Sequence, residues 1–115
     1  MYRIGKVSEM KQIKGKVPLA VYQEVLRIVS VLDKYYGEDR DIYKNDGGFV
    51  FIAENKSDLN YFIDNHIDPR KGSYEDMRII ADDMQYFNIF FLCNNEFSIN
   101  LIFPVNLMPE LWVNV

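Results

Sequence analysis

Residues 86–103, YFNIFFLCNNEFSINLIF, carry two apolar runs around Asn94 and Asn95, and a chain that must bury both runs is committed to a β-hairpin. In the second run Phe97, Ile99, Leu101 and Phe103 alternate with Glu96, Ser98 and Asn100, and only Ile102 breaks the period of two that marks a half-buried strand. Asparagine tolerates positive φ, so Asn94-Asn95 predicts a two-residue type I′ turn. That turn sets the register: Cys93 opposite Glu96, Leu92 opposite Phe97, Phe90 opposite Ile99, Asn88 opposite Leu101 and Tyr86 opposite Phe103.

One face of the hairpin then carries Tyr86, Phe90, Leu92, Phe97, Ile99, Leu101 and Phe103, interrupted by Asn88, and is the expected core. Phe97→Asp or Leu101→Asp should therefore unfold the chain. The opposite face shows Phe87, Ile89, Phe91 and Cys93, which need a cover of their own. The cover is either this chain or a second copy of it, so Phe87, Ile89 and Phe91 are a candidate packing or homodimer face. Asn88 is the polar exception on the core face. A buried amide must find partners, which makes Asn88 a candidate polar group of a ligand pocket between the sheet and the first helix, with Asn100 as a second polar residue of the hairpin.

The rest of the chain supplies elements to pack on this hairpin. At 115 residues with one cysteine, it is expected to be a single domain, 1–115, that builds its core without disulfides. A lone cysteine fits a reducing, cytoplasmic setting. Basic residues interrupt any signal peptide, and no segment approaches the roughly 20 apolar residues of a membrane span. Residues 1–16 hold Arg3, Lys6, Lys11, Lys14 and Lys16 against Glu9, so this stretch is +4 and the remainder −8 of the net −4. It reads as a basic, solvated N-terminal arm, flexible if nothing holds it, on an acidic body. Such a body argues against nucleic acid as a partner and suits a basic protein better.

From Pro18 to Gly37, Leu19, Tyr22, Val25, Leu26, Val29, Leu32 and Tyr36 recur at helical spacing, with Val21, Ile28, Val31 and Tyr35 widening the stripe enough to predict burial on more than one side. EDRDIYKNDGG, residues 38–48, is a polar loop. FVFIA, 49–53, reads as a buried strand, and Ser57 as the N-cap of a short helix ending near His66. Residues 74–82 fit a strand better than a helix, because a meander into the hairpin suits their length. The expected architecture is α+β: a small two-layer domain with two helices on one face of a mainly antiparallel sheet of about four strands, in the order helix, strand, helix, three-strand meander.

Few chemistries find their residues. The acidic loop fails the calcium-loop spacing, since a start at Asp41 puts Tyr43, Asn45 and Asp46 in the ligand and glycine places. A thiol-imidazole dyad could only be Cys93 with His66, and each is better explained as a small strand residue and a helix-terminal imidazolium. Glu54, Asp82 and Asp83 are an acidic triplet of the kind any acidic surface offers a magnesium ion. One histidine and one cysteine cannot make a zinc site, and Gly15-Lys16 and Gly47-Gly48 lack the context of a phosphate loop. No catalytic residue, cofactor or metal is assigned.

Surface recognition remains. Tyr36 and Tyr43 beside Glu38, Asp39 and Asp41 form the candidate partner-binding patch, because aromatic residues anchor interfaces and the acids suit a basic partner. In size, acidity and lack of catalytic motifs the chain resembles the small accessory proteins of bacteria or phages that act by binding one partner, which makes stoichiometric protein binding, for example of the immunity or anti-defence kind, the expected role. The alternatives are a ligand-binding or enzymatic domain using the Asn88 pocket, and a homodimeric structural protein.

Overall fold

The computed structural model describes residues 1–41, 48–66, 76–80, 85–93 and 97–107. Its centre is a five-stranded mixed sheet of β1 (Tyr2–Ile4), β2 (Phe49–Ile52), β3 (Asp76–Ile80), β4 (Tyr86–Cys93) and β5 (Phe97–Pro104), ordered β1-β2-β5-β4-β3. Three of its four pairings are antiparallel, and β2 runs parallel to β5. The α+β class and the meander of β3, β4 and β5 agree with expectation.

The layers differ in detail. Helix α1 (Leu19–Tyr36) covers one face and α2 (Lys56–Asn65) the other, so the sheet lies between helices. The four-residue β2 shows why: Val50 and Ile52 join the α1 core, Phe49 and Phe51 the α2 core, and all four are buried. A strand apolar on both faces demands cover on both.

The hairpin register is shifted by one residue from the turn-based expectation. Cys93 pairs with Phe97, Phe91 with Ile99, Ile89 with Leu101, Asn88 with Ile102 and Phe87 with Phe103, leaving residues 94–96 between the strands. A shift of one residue sends every side chain of one arm to the other face. Here it gathers Phe87, Ile89 and Phe91 with Ile99, Leu101 and Phe103, all buried, in one cluster completed by Phe49, Phe51, Leu59 and Phe62. Six apolar side chains on one face, each contributing about 1.5–3 kcal/mol on burial, outweigh the preference of an Asn-Asn pair for a two-residue turn. The expected core face of Tyr86 and Phe90 with Ile99, Leu101 and Phe103 is thereby corrected. Tyr86, Asn88 and Phe90 share the other face with Ser98, Asn100 and Ile102. Phe97 and Leu92 have side chains outside the described set.

The Phe87, Ile89 and Phe91 row is thus a packing face: α2 of the same chain covers it through Leu59 and Phe62, with Ile63, Val105 and Leu107 at its margin. The N-cap of α2 is Asn55, not Ser57. The Asn55 carboxamide oxygen accepts from the Asp58 amide at 2.9 Å, while Asp58 Oδ2 accepts from the Glu54 amide at 2.9 Å, so two helix-entry donors are satisfied together.

Residues 1–16 do not stand off the domain as a tail. β1 pairs with β2, a 3-10 helix (Val7–Gln12) follows, and Ile4, Met10 and Ile13 enter the α1 core. Glu9 Oε1 accepts from the amides of Gly5 and Lys6, which folds the 3-10 helix back on β1. Lys11, Lys14 and Lys16 still lie exposed, so the charge reading survives where the tail reading does not.

α1 begins after Pro18 and stops at Gly37, whose φ of +92° is a conformation that side chains with a Cβ rarely adopt. Its buried residues are Val21, Glu24, Val25, Ile28, Val29 and Leu32. Leu19, Val31, Tyr35 and Tyr36 are exposed, so the wide stripe is buried on one side only.

Candidate functional site

Two features converge at the C-terminal half of α1. The first is an exposed corner. Val31 is 51% exposed, Tyr35 82% and Tyr36 40%, and the two tyrosine rings lie 6.0 Å apart, tilted by 54°. Glu38, Asp39 and Asp41 follow directly and are exposed as well. Large apolar groups left in solvent beside acids are the unusual observation on this surface.

The acidic turn is held from beneath. Arg40 is buried, and its guanidinium donates to Asp33 Oδ1 at 2.9 Å, to the Gly37 carbonyl at 2.8 Å and to the Gly5 carbonyl. Asp33 Oδ2 accepts in turn from the Val7 amide at 3.1 Å. One cation therefore ties the end of α1, the turn after it and the start of the chain together, and the acids on either side of Arg40 face solvent from a fixed backbone.

The second feature is a cleft of about 360 Å³ between α1 and the hairpin, lined by Arg27, Ile28, Val31, Leu32, Tyr35 and Tyr36 above and by Asn88, Phe90, Ser98 and Asn100 below. Its floor is polar. Asn100 Nδ2 donates to Asn88 Oδ1 at 3.1 Å, and Asn88 Nδ2 donates to Glu24 Oε1 at 3.4 Å. The same Glu24 oxygen accepts from the Arg27 guanidinium at 2.5 Å. The chain of contacts Asn100, Asn88, Glu24, Arg27 thus runs from the sheet to the helix surface.

The cleft lies between the sheet and the first helix, and Asn88 and Asn100 both line it. The register shift accounts for their meeting, since the turn-based register put them on opposite faces. Ser98, Glu24 and Arg27 were not singled out from the sequence. Glu24 carried a readable signal: it lies at positions i+3 from Val21 and i−4 from Ile28, within the apolar stripe, and is buried.

On the opposite face His66 ends α2 among aromatic rings, with centroids 5.2 Å from Phe62, 5.5 Å from Phe49 and 5.8 Å from Phe51. The Arg3 guanidinium lies 3.9 Å from the Phe49 centroid. Partial burial against these rings, with the Arg3 charge adding, pulls the pKa of the still solvent-exposed His66 below its ordinary value of 6.5. This corrects the reading of His66 as an imidazolium favoured by a helix end: at neutral pH the ring is a neutral member of an aromatic cluster.

Tyr43, Asp82 and Asp83 lie outside the described residues, as does the side chain of Cys93, so those candidates are not placed. Among the described residues no group of three or more His, Cys, Asp or Glu could hold a metal ion, and no helix is long and apolar enough to cross a membrane. Comparison with known proteins returns no match, neither a family model nor a curated protein nor a solved structure.

Proposed function

We propose that this is a small non-catalytic protein that acts by stoichiometric binding of a protein partner with a basic surface, an accessory role of the immunity or anti-defence kind in a bacterium or phage. The observation that carries the reading is the corner at the end of α1, where Val31, Tyr35 and Tyr36 stand exposed beside Glu38, Asp39 and Asp41 on a backbone clamped by Arg40. Exposed aromatic side chains supply contact area at low entropic cost, acids steer a basic partner, and a turn already held in place lowers the ordering cost of association. The −8 carried outside residues 1–16 extends the same field over the body of the molecule.

Affinity capture from the native host tests it. One basic protein should be retained in stoichiometric amount, at an affinity that falls with salt. Asp39→Lys with Asp41→Lys should slow association, and Tyr35→Ala should speed dissociation. Capture unaffected by all three substitutions removes the corner from the mechanism.

A further inference from the structure

We propose that the cleft between α1 and the hairpin is a binding site for a small, neutral, planar molecule that presents a hydrogen-bond donor and acceptor side by side, such as an aromatic carboxamide. This goes beyond the protein-binding reading, which rests on the outer corner and needs no occupant in the cleft.

Size and lining come first. A cleft of about 360 Å³ lies within the range of small-ligand sites, which join mainly apolar walls to a few placed polar groups. Ile28, Leu32 and Phe90 supply apolar walls, and the rings of Tyr35 and Tyr36 flank the mouth, a setting for a flat apolar body.

The floor selects the polar edge. Asn88, Ser98 and Asn100 are each more than nine-tenths buried and line the cleft. Asn88 has both ends engaged, its oxygen by Asn100 and its amide by Glu24. Asn100 commits only Nδ2 to Asn88, and neither its Oδ1 nor the Ser98 hydroxyl has a hydrogen-bond partner among the described residues. Among the described residues, neither atom belongs to the partnerless side-chain atoms that are sealed from solvent. A carboxamide oxygen accepts and a hydroxyl can donate, so the two together match a group carrying one donor and one acceptor.

Charge decides between neutral and ionic ligands. Among the described residues the lining holds one formal charge, Arg27, and Glu24 is already bound to it at 2.5 Å. The pair offers no uncompensated charge to a carboxylate or an ammonium, and desolvating such a group in this cleft is a cost with no return.

The test uses the full ¹⁵N-labelled chain titrated with three flat probes of similar size: nicotinamide, nicotinate and toluene. Nicotinamide should give saturable shifts of the Asn100 side-chain amide and the Ser98 backbone amide, with a Kd on the order of 1 mM. Nicotinate and toluene should bind at least tenfold more weakly. Val31→Trp, on the exposed rim where the fold is not at risk, should abolish the nicotinamide shifts by closing the mouth. Asn100→Leu should bring the affinities for nicotinamide and toluene together. Equal binding of nicotinate overturns the neutral selection, and equal binding of toluene overturns the polar floor. Shifts that survive Val31→Trp overturn the location, and absence of saturable shifts overturns the site.

Discussion

The carboxamides of Asn88 and Asn100 meet across β4 and β5 at 3.1 Å, as diagonal neighbours on one face of the sheet. Their contact depends on the hairpin register, because a shift of one residue in either direction would place them on opposite faces. The aromatic row on the other side of β4 and the polar floor beneath α1 therefore follow from one choice of pairing.

That choice can be read from two adjacent phenylalanines. Phe91 is buried against α2, whereas Phe90 is half-buried at the cleft. Phe91→Ala should cost about 3–5 kcal/mol and Phe90→Ala distinctly less. Urea denaturation of both variants measures this, and the reverse order would support the turn-based register. Leu101, fully buried, should not tolerate aspartate in either case.

Gly48 leads into β2 directly against β5. A Cβ at this position would lie 2.6 Å from Ser98 Oγ, 2.8 Å from the Ser98 carbonyl oxygen and 3.0 Å from Leu32 Cδ2. Gly48→Ala should destabilise the protein by about 1–3 kcal/mol, as overpacking does. Adding Ser98→Ala should recover only part of the loss, since the carbonyl contact stays. Thermal melts of the single and double variants show whether this is so.

Arg40 and Asp33 form a largely buried ion pair at 2.9 Å. Arg40→Met should cost about 3 kcal/mol or more, chiefly because Asp33 is left as an uncompensated charge. Asp33→Asn in the same chain should restore part of that stability while leaving the acidic turn less ordered. Chemical denaturation gives the first result, and faster amide exchange at residues 37–41 the second.

His66 sets a pH dependence with a definite sign. Its pKa is lowered in the folded state, so the unfolded chain holds more protons as pH falls through 6.5. Its contribution to stability is full above 6.5 and is lost as pH drops from there towards the folded value. The urea midpoint should decline between about pH 7.5 and pH 5.5, and His66→Phe should flatten this decline. Salt should shrink the share due to Arg3. Identical profiles for the two proteins would assign the pH dependence elsewhere.

Much of this fold was legible from local pattern. FVFI, a continuous apolar run after two glycines, is a buried strand because nothing in it can face water. Pro18 and Gly37 bound α1 because one cannot extend a helix backward and the other leaves it at positive φ. The short helix before His66 and the strand at 76–80 also follow from spacing and length. At the site, the exposed Tyr36 and the acids at 38, 39 and 41 were readable as a patch, and Asn88 as a polar residue needing partners.

What the chain by itself determined is therefore its elements and their apolar content. Tertiary structure decided which faces met. Periodicity of two shows that alternate residues share a side but not which alternate set of one arm pairs with which of the other, and the Asn-Asn turn pointed to the wrong set. Only the burial of Phe87, Ile89 and Phe91 under α2 selects the pairing that brings Asn88 to Asn100. Likewise, the charge of Arg40 gives no sign that it would be buried; its three oxygen partners lie 3, 7 and 35 residues away. Contacts of that range exist only once the sheet has brought the start of the chain beside the end of α1.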